Sequence, residues 1–106
     1  MKIRIGCFQL ALQNSDNFDL ISKKISDFLT SNSVDIIILS ELAVGGPGAT
    51  NEKFYLHNYI DKFTDIALKN DIWLVPGTFY EKVDNKIFNT SPVICLLYTS
   101  DAADEV

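Results

Sequence analysis

The feature that most constrains the fold is the alternation of short apolar runs with amphipathic stretches along the first three quarters of the chain. Residues 34–39 and 72–75 are short and rich in aliphatic side chains, which predicts strands covered on both faces, as in a parallel sheet. Apolar residues recur every three or four positions in 18–29 and 56–67, which predicts two amphipathic helices. Residues 3–10 add a first strand with alternating early positions. The pattern therefore predicts an α/β fold.

A fourth strand is predicted after the third. The pair Pro76–Gly77 bends the chain, so 78–80 is read as a continuation of the third strand, and residues 87–97 return as a fourth. Asp84–Asn85 is a turn signal, and the last two strands can pair as a hairpin. The predicted order is β-α-β-α-β-β. Because crossovers between parallel strands are right-handed, we expect both helices on the same face of one sheet.

Length and charge exclude several classes of protein. A chain of 106 residues makes one small domain or part of a larger one. The net charge of −5 comes with no basic cluster, so nucleic acid is not an expected partner. No apolar segment resembles a secretory signal or a membrane span, which predicts a cytoplasmic protein without membrane contact. Cys7 and Cys95 lie in separate apolar runs, and both are expected to be buried thiols in a reducing compartment.

Glu41 is the candidate catalytic residue. In "IIILSELAVGG" it follows the apolar strand at 34–39 directly and precedes a glycine-rich loop. Ligands of open α/β sheets bind at the carboxyl ends of the strands, where such a carboxylate can act as a general base. We expect Glu41 to lie close to the "GTFYE" segment and to be more buried than the other carboxylates. The alternative is a solvated loop carboxylate or a helix-capping group.

Other sites of known chemistry have weaker support. The stretch "GGPGAT" lacks the Lys–Ser/Thr pair of a P-loop, and the first strand does not lead into a G-x-G-x-x-G turn. His57 is the only histidine and lies in the second predicted helix, where a surface or half-buried position is expected. No G-x-S-x-G elbow accompanies it, which argues against a Ser–His–Asp triad.

Four segments in one order are similar to a known family. They are "IRIGCFQL", "VDIIILSELAVGG", "IWLVPGTFYE" and "NKIFNTSPVI". Together they resemble the N-terminal part of a nitrilase-superfamily, or carbon–nitrogen hydrolase, domain over residues 1–96. The resemblance implies an αββα sandwich of which this chain holds less than half. One face of the sheet is then expected to be open, because the second sheet that would cover it is missing.

The resemblance also implies a reaction. The family hydrolyses non-peptide carbon–nitrogen bonds of small amides, carbamoyl amides or nitriles through a Glu–Lys–Cys triad, and Glu41 matches its proton acceptor. The lysine and the nucleophilic cysteine have no counterpart here, so this chain alone is expected to be inactive. Ser40 stands where the family usually has proline. The resemblance implies no metal, no cofactor, a small-molecule substrate and a homo-oligomer at full length.

Two other functions stay open from the sequence. One is a non-catalytic α/β binding module of flavodoxin-like strand order. The other is an acyltransferase of the same superfamily, which would use the triad with a nucleophile other than water.

The last ten residues break the pattern. The end of the chain, "LLYTSDAADEV", provides no terminal helix, and it is similar to the translated remnant of a sequencing adapter. We therefore interpret residues 97–106 as a non-native or disordered tail, separate from the domain at 1–96. The alternative is a genuine frayed terminus.

Overall fold

A computed structural model describes residues 1–95 and 99–105. Within these residues the chain forms a single mixed sheet of six strands with two α-helices, and three short 3₁₀ helices connect the second strand to the second α-helix. The elements are β1 (Ile5–Phe8), α1 (Phe18–Ser31), β2 (Ile36–Leu39), the 3₁₀ helices Gly46–Gly48, Glu52–Phe54 and Leu56–Asn58, α2 (Ile60–Asn70), β3 (Trp73–Val75), β4 (Phe79–Val83), β5 (Lys86–Ile94) and β6 (Thr99–Glu105).

The sheet is parallel on one side and antiparallel on the other. Its order is β1-β2-β3-β5-β4, with β6 also paired to β5. Strands β1, β2 and β3 run parallel, whereas β5 is antiparallel to β3, β4 and β6. The predicted α/β class is confirmed. A flavodoxin-like order is wrong, because that order places the first strand between the second and third, whereas here β1 lies at an edge.

The predicted element order is correct up to β3 and differs beyond it. Residues 78–80 belong to a separate strand, β4, because the chain turns at Pro76–Gly77, where Gly77 has a φ of +85°. The predicted turn is confirmed at the tip of the β4–β5 hairpin, where Asp84 and Asn85 have φ values of 51° and 64°. Two successive positive φ values are the signature of the tight turn that suits the twist of a hairpin.

Both helices pack on the same face of the sheet, as predicted. The rings of Phe18 on α1 and Phe63 on α2 meet edge to face at 5.1 Å. Ile37 and Leu74 face these helices and are fully buried. Phe63 is also 0% exposed, so it lies at the centre of the core.

The opposite face of the sheet is apolar and open. Ile5, Ile36 and Trp73 lie side by side across β1, β2 and β3. Ile5 is 54% exposed and Trp73 is 44% exposed, values that are unusual for large apolar side chains within a sheet. The open face predicted from the sequence is therefore present.

The interpretation of residues 97–106 stays a prediction. Residues 97, 98 and 106 lie outside the described residues, and the backbone of Thr99–Glu105 forms β6.

Candidate active site

Glu41 lies where the sequence placed it, on the turn that follows β2. Strands β1, β2 and β3 are parallel, so the carboxyl ends of all three are at this edge of the sheet. Leu42, the next residue, has a φ of 51°, a left-handed conformation that is uncommon outside glycine. The backbone therefore turns sharply at the position of the candidate base.

The segment that begins β4 holds this turn in place. The backbone N–H of Leu42 donates a hydrogen bond of 2.9 Å to Oγ1 of Thr78. Gly77 packs so closely on the turn that a side chain there would collide with the carbonyl oxygen of Ser40. The predicted proximity of Glu41 to the "GTFYE" segment is confirmed. Ser40 and Gly77 thus lie in close contact between this turn and the start of β4.

The predicted burial of Glu41 is wrong. Its side chain is exposed, whereas Glu81 on β4 is the one carboxylate within residues 1–95 that is half-buried. The physical reason is the open face of the sheet, since Glu41 turns towards that face and nothing in the described chain covers it there.

A hydrogen bond from β5 reaches Glu41 instead. Nδ2 of Asn89 donates to Oε2 of Glu41 at 3.0 Å. The two residues are 48 positions apart in sequence. Asn89 lies on the open face of the sheet, because the next residue, Thr90, is fully buried under the helices and successive side chains of a strand alternate.

Asn17 fixes the other end of the Glu41 turn. Its side chain is 2% exposed, and its Nδ2 donates to the carbonyl oxygens of Gln13, Ala43 and Val44 at 3.0, 3.3 and 3.0 Å. Its Oδ1 accepts from the backbone N–H of Gln13 at 2.9 Å. Asn17 is the N-cap residue of α1, but its side chain makes no cap hydrogen bond to that helix. It ties the start of α1 to the loop after Glu41.

A cavity of about 320 Å³ is lined by Thr50, Tyr55, Tyr80 and Ile87. Tyr80 is the cross-strand partner of Asn89, so the cavity adjoins the β4–β5 hairpin that carries the donor to Glu41. A larger cavity of about 590 Å³ lies near Val34 and Ile72, where β2 and β3 begin. Ligands of α/β sheets bind at the carboxyl ends of strands, which argues against the larger cavity as a ligand site.

The remaining candidate residues have weaker support for a functional role. His57 is exposed on a short 3₁₀ helix, in agreement with a surface position. Cys95 is buried as predicted, but the predicted burial of Cys7 is wrong, because Cys7 points to the open face of the sheet and is exposed.

Within residues 1–95 and 99–105, His, Cys, Asp and Glu side chains form no cluster of three that could hold a metal ion. In the same part of the chain, no helix has the length and apolar character needed to cross a membrane.

Solved structures with a similar backbone identify the fold. Nit3 of Saccharomyces cerevisiae, a member of branch 10 of the nitrilase superfamily, matches with a TM-score of 0.78 over 97% of this chain and 43% of its own, at 19% identity. The chain has the nitrilase fold. A carbon–nitrogen hydrolase from Helicobacter pylori G27 matches the nitrilase fold of this chain with a TM-score of 0.73, at 18% identity, over 97% of this chain and 39% of its own.

A third match comes from a larger enzyme. A glutamine-dependent NAD(+) synthetase from Cytophaga hutchinsonii has a TM-score of 0.70 at 22% identity, over 96% of this chain and 19% of its own. The chain thus spans less than half the length of these three proteins with the nitrilase fold. No family model matches the sequence, and no curated protein matches it.

Sequence reasoning identified Glu41 but missed the residues that hold it. Asn89 lies within "NKIFNTSPVI", which contributed only to the resemblance, and Gly77 contributed only to the predicted bend. Asn89 lies in a predicted strand that is otherwise largely apolar, and a polar side chain there needs a hydrogen-bond partner. This was the only signal in the sequence that Asn89 makes a specific contact. Nothing local in the sequence indicates that this partner is Glu41.

Proposed function

We propose that the full-length protein is a hydrolase that cleaves the carbon–nitrogen bond of a small amide, carbamoyl amide or nitrile, with Glu41 as its proton acceptor. The observation that carries the proposal is the position of Glu41 in a nitrilase fold, at the carboxyl end of β2. The hydrogen bond from Asn89 and the close contact with Gly77 support it, because a general base must be held in one geometry to work.

The proposed chemistry needs three residue types. The carboxylate of Glu41 takes the proton of a cysteine thiol, and, for an amide or carbamoyl amide, the thiolate attacks the carbonyl carbon of the substrate. A lysine ammonium stabilises the oxyanion that forms. The protonated Glu41 then gives its proton to the nitrogen, which leaves as ammonia or an amine, so that Glu41 is a carboxylate again. Water then hydrolyses the thioester after giving its proton to the same carboxylate. Residues 1–106 supply only the glutamate of this triad, so this length alone is expected to release no ammonia.

The cavity that adjoins the β4–β5 hairpin suits a small substrate. Tyr55, Tyr80 and Ile87 give it a mostly apolar wall, and Tyr80 is the cross-strand partner of Asn89. An amide with a small apolar group matches an apolar wall of this size. The proposal includes a cytoplasmic location, which was expected from the sequence, and self-association at full length, which the resemblance implies.

The experiment is a substrate screen of the full-length protein. Ammonia release from a panel of small amides, carbamoyl amides and nitriles is measured for the wild type, Glu41→Gln and Glu52→Gln. Glu41→Gln should melt like the wild type and lose about 10²- to 10⁴-fold in kcat, because an amide cannot accept the proton. Glu52→Gln is the matched control, since Glu52 is exposed on the 3₁₀ helix Glu52–Phe54. Undiminished turnover by Glu41→Gln would remove Glu41 from the mechanism.

A further inference from the structure

Asn89 is placed to control the geometry of Glu41. The exposed carboxylate of Glu41 is not enclosed by the described residues, and the side chain that reaches it is the amide of Asn89, at 3.0 Å from Nδ2 to Oε2. A carboxylate on a turn has several rotamers available. A fixed donor on one of its oxygens selects among them.

The orientation of the Asn89 amide is set by this contact. Its Oδ1 is buried, and no donor from the described part of the chain reaches it. A buried acceptor without a partner is unfavourable, so no hydrogen bond to Oδ1 accounts for the orientation of the Asn89 amide. Rotating the amide by half a turn would bring Oδ1 against the Glu41 carboxylate, acceptor against acceptor. The amide therefore faces Glu41 with its donor because the carboxylate requires one.

The strand that carries Asn89 is firmly held. Asn89 pairs with Tyr80 across the β4–β5 hairpin. The next residue, Thr90, is fully buried, and its hydroxyl donates a 2.7 Å hydrogen bond to Oε1 of Glu81 on the helix-covered face. The backbone of Asn89 thus has little freedom, while Glu41 lies on a turn. A rigid donor acting on a residue in a turn is the arrangement that orients a reactive group.

We propose that Asn89 is a positioning residue for the reaction: it holds Oε2 of Glu41, so that Oε1 is the oxygen that accepts the thiol proton. This inference rests on the proposed function. Asn89 itself takes no proton in the reaction, and its role is to keep the free oxygen of Glu41 aimed at the nucleophile.

The test compares two substitutions of similar size in the full-length protein. Asn89→Asp keeps the shape of the side chain but replaces the donor by an oxygen, and Asn89→Leu removes all polarity. Each should lower kcat roughly 10- to 100-fold, the range seen when a supporting group that orients a reactive residue is lost. KM should stay within about 2-fold of the wild type, because a positioning contact acts on the chemical step. Ser91→Ala, on the same face two residues along β5, should leave both constants unchanged.

The comparison between Asp and Leu separates positioning from packing. If Asn89 only fills space, the nearly isosteric Asp variant keeps wild-type kcat, and the proposal is overturned. It is also overturned if neither variant melts cooperatively, since the role is then structural. An active wild type with fully active Asn89 variants refutes the positioning role and leaves the hydrolase function standing. A wild type that releases ammonia from no substrate overturns the proposed function and this inference with it.

Discussion

Replacing Gly77 by alanine should weaken the fold by displacing the turn that carries Glu41. Gly77 has a φ of +85°, a conformation that L-residues rarely adopt. The new methyl group would collide with the carbonyl oxygen of Ser40 and lie 3.3 Å from Cβ of Ala43. Because both contacts are with the turn after β2, either that turn or the start of β4 must move.

Two costs combine at this position. An alanine with positive φ costs about 1–2 kcal/mol. Forcing an extra methyl group into a packed site costs about 1–3 kcal/mol more. The sum of about 2–5 kcal/mol is a large part of the 5–15 kcal/mol by which a typical domain is stable. With a urea m-value of about 2 kcal/mol/M, the middle of the range for small proteins, the midpoint of unfolding should fall by roughly 1–2.5 M.

Urea denaturation followed by circular dichroism measures this shift, and Gly6→Ala is its control. Gly6 is also buried, but a methyl group there would meet only ordinary contacts, the nearest being a ring carbon of Phe28 at 3.5 Å. Gly6→Ala should therefore keep or slightly raise the midpoint, since alanine loses less conformational entropy than glycine on folding. The reasoning is refuted if the two alanine variants unfold at the same urea concentration.

Two further predictions concern stability in alkali and association. Tyr59 is 4% exposed and donates a 2.8 Å hydrogen bond to Oδ2 of Asp16; burial, then this bond, raises the pKa of Tyr59 well above its ordinary value of 10.0. Because the pKa of Tyr59 is raised in the folded state, its neutral hydroxyl stabilises the fold fully below pH 10, and this stabilisation is lost as the pH rises further. Above pH 10 the free energy of unfolding of the wild type should therefore fall more steeply than that of Tyr59→Phe. Parallel curves of unfolding free energy against pH, measured in urea titrations, would contradict this. The open face of the sheet should drive association of residues 1–106. The double variant Ile5→Lys with Ile36→Glu should therefore elute closer to the monomer position in gel filtration, whereas Leu68→Lys, at an exposed helix position, should elute like the wild type. Equal elution of the two variants would show that association uses another surface.

Helices with a regular spacing of apolar residues were predictable from the sequence, whereas the change from a 3₁₀ helix to an α-helix before α2 was not. The apolar period of α1 predicted its start at Phe18 correctly. The second helix was predicted from residue 56, but α2 begins at Ile60, after a separate 3₁₀ helix at Leu56–Asn58. Leu56 and Tyr59 are both buried, and a spacing of three suits a 3₁₀ helix as well as an α-helix. Periodicity alone therefore could not separate the two.

The site was predictable only as far as it is local. The position of Glu41 follows from a strand that ends two residues before it, which the sequence displays directly. Its exposure depends on which face of the sheet is covered, and its hydrogen bond depends on Asn89, 48 residues away. Such contacts are set by strand order and register, here β3 next to β5. Neither property has a signature within a short window of sequence.

The open face of the sheet also gives the protein an optical signal. Trp73 is the only tryptophan of the chain, and it lies on that face with 44% of its surface exposed. Indole emission moves to shorter wavelength when water is removed from around the ring. Any polypeptide that covers β1, β2 and β3 therefore changes the intrinsic fluorescence, without an added label and without a second indole to obscure the change.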